Sequence, residues 1–202
     1  MDLNNSTSNK AVSKSSGDNV TQSDSLANLK KVNEINNQVY FEFGDLVVCS
    51  ANESHVSEVA ELWANHATIQ QINSPGRYAF KGEGKDWRTF VRRKIDKKNN
   101  LLLVIYKKGE KEVMGFLYLQ TITLPSSELV LKGVIEDVYT KPQYRKQGIA
   151  TKLLNVALEW ACNEHIKQVD FVSLPNIKGL SDFYFRFLKQ FKLDLNLTLL
   201  TV

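Results

Sequence analysis

Apolar positions along this chain repeat with two periods, about two residues in some stretches and 3.6 in others, and the first 36 residues show neither. Leu46-Val47-Val48-Cys49 is a short apolar run and predicts a first strand. Asn52-Glu53-Ser54 then offers capping side chains, and Val56, Val59, Ala60 and Trp63 follow at helical spacing, predicting a helix to about His66. Asn73-Ser74-Pro75-Gly76 and Gly82-Glu83-Gly84 mark a loop. Trp87, Phe90, Val91 and Ile95 share one face of a second helix, from about Asp86 to Asn99-Asn100. Leu101 to Tyr106 and Val113 to Thr123 read as strands joined at Lys107-Lys108-Gly109-Glu110, and a further strand runs from about Leu129 to Thr140. Between about Gly148 and Glu164, residues Ala150, Leu153, Leu154, Ala157, Leu158 and Ala161 form the stripe of a long amphipathic helix. Val169 to Leu174 predicts a strand. Ile177, Leu180, Phe183, Tyr184, Phe187, Leu188 and Phe191 form another helical stripe, and the alternation from Leu193 to Val202 predicts a last strand. The order β-α-α-β-β-β-α-β-α-β contains a strand-helix-strand unit at 129–174, which implies a parallel pair with a right-handed crossover.

Composition sharpens this picture. Residues 1–36 are rich in Ser, Asn, Thr, Lys and Asp, and every aromatic residue lies at or after Tyr40. Such a segment cannot bury enough apolar surface to offset its ordering entropy, so a disordered tail over 1–36 and one folded domain over 45–202 are expected. The whole chain has 202 residues, 43% hydrophobic and 24% charged, values of an ordinary globular protein. A formal net charge of +4 argues against a general nucleic-acid coat. No apolar run is long enough for a membrane span, and the first residues lack the basic and apolar regions of a secretory leader, so a cytoplasmic location is expected. Cys49 and Cys162 are too few for a disulfide framework or a four-cysteine zinc site and read as buried thiols. His55, His66 and His165 lack metal-ligand spacing, so no metal is expected. Arg88, Arg92, Arg93, Lys94, Lys97 and Lys98 make the segment 86–98 strongly basic. A solvated helix face is the ordinary reading; a nucleic-acid or acidic-partner surface is the alternative.

Candidate chemistry concentrates between Ile135 and Thr151. A strand ends at Lys141-Pro142, a short loop follows, and a helix begins near Gly148. The first turn of a helix carries unpaired N–H groups and partial positive charge. Gly148 lets an anion approach the backbone, Ala150 does not crowd it, and Arg145, Lys146 and Lys152 add charge. These residues make a phosphate cradle, although neither a Walker loop nor a dinucleotide fingerprint is present. Glu136 and Asp137 are adjacent in a strand and are expected on opposite faces.

The run Arg145-x-x-Gly148-x-Ala150 resembles the acetyl-CoA-binding motif Arg/Gln-x-x-Gly-x-Gly/Ala of the GNAT superfamily of N-acetyltransferases. The preceding acidic strand, Pro142 and Tyr144 match as well, and the resemblance covers about residues 45–202. It implies an α/β fold: a mixed, mostly antiparallel sheet with one splayed parallel strand pair and helices on both faces. It also implies acetyl-CoA as co-substrate. Backbone groups of Gln147, Gly148, Ile149, Ala150 and Thr151 would hold its pyrophosphate beside Arg145 and Lys146. Val138, Tyr139 and Thr140, on the splayed strand, would hold the pantetheine arm and thioester.

The same resemblance places an acidic pair at the acceptor site. Glu136 is expected as the base that takes a proton from the amine, and Asp137 as holder of a cationic acceptor or as a structural partner. Both could instead be structural charges. Tyr184, in Phe183-Tyr184, matches the family's general acid, with Asn176 as the upstream cofactor residue of that motif. A core tyrosine in an aromatic stripe is the alternative. The implied function is direct acetyl transfer from acetyl-CoA to a primary amine of a small molecule or protein, with a homodimer compatible. A non-catalytic acyl-CoA sensor of the same shape and a nucleic-acid-binding module using 86–98 are the rivals.

Overall fold

The structure is a computed structural model, and it describes residues 33–34, 37–73, 86–97, 99–124, 130–173, 179–190 and 195–201. Its strands are β1 (Asn33–Glu34), β2 (Asn37–Phe43), β3 (Leu46–Ser50), β4 (Leu101–Lys107), β5 (Val113–Leu124), β6 (Val130–Thr140), β7 (Gln168–Ser173) and β8 (Asn196–Thr201). Its helices are α1 (Val56–Asn73), α2 (Trp87–Ile95), α3 (Ile149–Asn163) and α4 (Leu180–Gln190). The strands lie in one sheet in chain order. Neighbours from β1 to β6 are antiparallel, while β6–β7 and β7–β8 are parallel. The expected crossover over 129–174 is therefore present, and the last strand adds a second parallel pair through α4.

Both faces of the sheet are covered, which is why its central strands read as unbroken apolar runs. Leu101, Leu103 and Ile105 of β4 join Leu117 and Leu119 of β5 in a core with Leu153, Leu154, Ala157 and Leu158 of α3 and Tyr184 and Phe187 of α4. The alternate residues Leu102, Val104, Phe116 and Tyr118 face Val56, Val59, Leu62 and Trp63 of α1 and Val91 of α2.

Two boundaries differ from the expectation. Paired backbone begins before residue 45: β2 forms a hairpin with β3 through Gly44, which has φ 64°, and Val39 and Phe41 of β2 are buried. The signal was Val39 and Phe41 alternating with Tyr40 and Glu42, followed by Gly44-Asp45. Of the expected tail, Asn33–Glu34 pair with Asn37–Gln38, and residues 1–32 lie outside the described residues. Helix α1 also continues past His66 to Asn73. The apolar stripe fades there, but Thr68 and Asn73 bond back to the carbonyls of Ala64 and Ile69, and Pro75 is the first strong breaker.

Candidate active site

Strands β6 and β7 pair only over Lys132–Ile135 and Gln168–Phe171. Beyond this point β6 runs on to Thr140 bonded to β5 alone, and β7 runs on to Ser173 bonded to β8 alone. The two parallel strands thus diverge, leaving backbone groups of β6 from Glu136 to Thr140 without a strand partner on the β7 side. The gap opens a cleft of about 270 Å³, whose walls include Glu136, Val138, Thr140, Val172, Phe183 and Tyr184. Below the divergence, Lys132 Nζ lies 2.5 Å from the buried Asp170 Oδ2 and ties the strands where they still pair.

At its far end the cleft meets a second hollow of about 370 Å³, with Thr140, Arg145, Ala150 and Phe183 lining both. This hollow surrounds the turn between β6 and α3. Pro142–Tyr144 form a single 3-10 turn, and Gly148 caps α3 with φ 75°. Lys146, two residues earlier, also has positive φ, 61°. Left-handed backbone at Lys146 and Gly148 turns the chain into the N-terminus of a 15-residue helix, whose first N–H groups have no partner within the helix and favour an anion. The turn is fastened from outside by Glu112, which accepts from Lys141 Nζ at 2.9 Å and Tyr144 Oη at 2.7 Å. These two bonds hold the Glu112 carboxyl below the usual range. Arg145 donates from Nε to the Thr140 carbonyl at 3.1 Å and lies over the Tyr139 ring.

The expected opposite facing of Glu136 and Asp137 is not what forms. Tyr118 pairs with Asp137 while Leu119 pairs with Ile135, so Glu136 is the extra residue of a β-bulge. The bulge lets both carboxylates meet helices on the same side of the sheet. Glu136 Oε2 lies 3.5 Å from Lys94 Nζ of α2, and that ammonium sits 4.1 Å from the centroid of Tyr118. Asp137 Oδ1 lies 3.1 Å from His66 Nε2 and accepts from Gln70 Nε2 at 3.2 Å, both on α1.

Tyr184 lines the cleft, buried to 3% exposure and packed against Phe171 and Phe183. Burial, with the charge of Asp137 as a smaller cause, pushes its hydroxyl well above the ordinary tyrosine range. Its helix is tied to β7 by the Ser173 and Ser181 hydroxyls, 2.9 Å apart.

Of the residues singled out in the sequence, Glu136, Val138, Tyr139, Thr140, Arg145, Ala150 and Tyr184 line the cleft. Lys146, Gly148, Ile149 and Thr151 line the adjoining hollow, and Gln147 sits exposed in the turn, bonded to the Gln143 carbonyl. Asp137 turns to His66 and Gln70. Asn176 lies outside the described residues. The sequence pattern does not mark Gln70, Lys94, Glu112 or Arg186 as site neighbours, and it marks His66 only as a helix end. His66 and Gln70 were detectable only as an i, i+4 pair on α1, and Arg186 as the residue three after Phe183. Glu112 carries no local signal, because its partners are 29 and 32 residues away.

A model of the acetyltransferase (GNAT) family matches residues 66–180, and the chain belongs to that family. No curated protein matches it. Among solved structures, a transcriptional regulator from Bacillus halodurans superposes with a TM-score of 0.57 at 19% identity, covering 73% of this chain and 93% of its own. An aminoglycoside acetyltransferase from an uncultured soil metagenomic sample gives 0.57 at 13%, covering 71% of this chain and 87% of its own. The aminoglycoside 6'-N-acetyltransferase of Acinetobacter baumannii gives 0.53 at 16%, covering 70% and 88%. At these identities the likeness is one of fold.

Proposed function

We propose that this chain transfers an acetyl group from acetyl-CoA directly to a primary amine of a small molecule or protein, using a domain that begins with β2. The observation that carries the reading is the divergence of β6 from β7 directly beside the cradle. An extended thioester arm needs free backbone groups along its length, and its pyrophosphate needs an anion seat at one end. Thr140 Oγ1 fits such a ligand: it is buried, has no hydrogen-bond partner among the described residues, and stands where the two hollows meet. Gly148 fits too, since a side chain there would stand in the cradle at positive φ.

Bound acetyl-CoA would supply the acetyl group as an activated thioester. The turn from Gln147 to Thr151, with Arg145 and Lys146, would hold the pyrophosphate. Val138, Tyr139 and Thr140 would hold the arm through their backbone. Glu136, which lines the cleft, would accept the proton an amine must lose before attack. Asp137 is assigned to positioning: it anchors α1 to β6 through His66 and Gln70. The Tyr184 hydroxyl, kept protonated by burial, would deliver a proton to the leaving sulfur.

The rival nucleic-acid surface is weakened by where the cations of α2 go. Arg92 forks onto Glu53 at 2.6 and 2.9 Å, and Lys94 turns inward to Glu136. The test is incubation of the full chain with acetyl-CoA and a panel of primary amines, reading free thiol and the acetylated product by mass. Stoichiometric thiol release and product are expected with at least one amine. CoA binding without turnover of any amine would make the chain a sensor instead.

A further inference from the structure

The hollow around the turn has two walls. One is the turn and the start of α3; the other is α4, which contributes Phe183 and Arg186. Helical spacing explains the second wall. Phe183 and Arg186 are three residues apart on one face, while Tyr184 and Phe187 are buried in the core. Arg186 is exposed, and no carboxylate among the described residues lies within ion-pair distance of it. It lines the same hollow as Arg145 and Lys146 but from a different element, so three cations flank the cavity.

A pyrophosphate already has its partners on the turn: the N–H groups at the start of α3, the positive end of that helix, and Arg145 beside them. Arg186 is a cation beyond that requirement. Membership of the two hollows gives the direction. Thr140 and Arg145 line both, Glu136 lines only the cleft, and Thr151 and Arg186 line only the second hollow. A ligand with its thioester near Glu136 and its pyrophosphate at the turn therefore carries its nucleotide end into the hollow that Arg186 lines. Resting on the cofactor reading above, we propose that Arg186 is the seat of the ribose 3'-phosphate of CoA, so that the chain selects 3'-phosphorylated CoA thioesters over dephosphorylated ones. A guanidinium suits this task because its fork matches phosphate oxygens in pairs.

The experiment is calorimetric titration of the full chain with CoA and with 3'-dephospho-CoA, on the wild type, Arg186→Gln and Arg186→Lys. The wild type is expected to bind CoA about tenfold more tightly, the effect of one charge-assisted contact. Arg186→Gln should lower CoA affinity to the dephospho-CoA value and leave dephospho-CoA affinity unchanged, and Arg186→Lys should keep part of the preference. Equal weakening of both ligands in Arg186→Gln would overturn the proposal by placing Arg186 on the pyrophosphate. An undiminished preference for CoA would overturn it by placing the third phosphate elsewhere. Failure of the wild type to bind either compound would instead sink the cofactor reading itself.

Discussion

Glu136 and Lys94 meet at 3.5 Å although one lies on a central strand and the other on a helix 42 residues earlier. The bulge in β6 makes the contact, because it hands Glu136 an extra backbone position and turns it to the α2 side. The carboxylate proposed to accept the amine proton is therefore already paired with a cation, which an incoming ammonium would have to share. Asp137, one residue on, is held separately by α1.

Replacing Glu136 with Gln keeps the shape and removes the proton acceptor. Turnover at neutral pH should fall by roughly 10²-fold, the scale of general base catalysis, with CoA affinity little changed. Steady-state kinetics with the amine found by panel screening measures this. Wild-type turnover in Glu136→Gln would remove Glu136 from the chemistry.

Tyr184→Phe deletes one hydroxyl and keeps the ring packed on Phe171. Because burial raises the hydroxyl pKa, the folded chain keeps this proton where an unfolded chain would lose it. Its contribution to stability is complete below about pH 10 and is lost as the pH rises through the higher folded value. Turnover between pH 6 and 9 should therefore show no limb from Tyr184, yet fall roughly 10²-fold at every pH in Tyr184→Phe. Unchanged rates with an intact fold would make Tyr184 a core residue only.

Gly148→Glu should abolish CoA binding, since the new side chain adds negative charge to the cradle and strain at φ 75°. Calorimetry reads the affinity and the melting temperature without ligand reads the fold. Retained affinity would relocate the anion seat.

Gly115 on β5 faces the end of the splayed strand. A Cβ there would stand 2.6 Å from the Tyr139 carbonyl oxygen and 3.3 Å from Thr140 Cα. Gly115→Ala should therefore displace the end of β6, costing about 1–3 kcal/mol of stability as overpacking does, and should weaken CoA binding as well. Denaturant titration and calorimetry measure the two effects, and a variant as stable as the wild type would show that β6 can shift freely.

Cys49 is fully buried, and burial pushes its thiol up to about 11. The folded state keeps this proton, so the associated stability is complete below the ordinary cysteine pKa near 8.5 and disappears as the pH rises through about 11. At pH 8 Cys49 should resist iodoacetamide in the native chain and react after denaturation, as peptide mass spectrometry would show. Rapid native alkylation would place it at the surface.

Much of this protein is legible along the chain. The helical stripe of Leu153, Leu154, Ala157 and Leu158, the unbroken apolar runs of β4 and β5, and the strand-turn-helix around Arg145 and Gly148 each express a local rule: period, burial on two faces, or the needs of a helix start. The short β2 escaped because its aromatic residues sit next to a polar segment and resemble its end. The arrangement around the two carboxylates was decided by tertiary structure alone. Adjacent strand residues diverge by default, and only the register of Tyr118 with Asp137 and of Leu119 with Ile135 creates the bulge that brings Glu136 to Lys94 and Asp137 to His66. Register is a property of two strands together, so no single stretch of sequence states it. The same holds for Glu112, whose partners lie on other elements of the fold, and for Arg186, which shares a hollow with a turn far earlier in the chain.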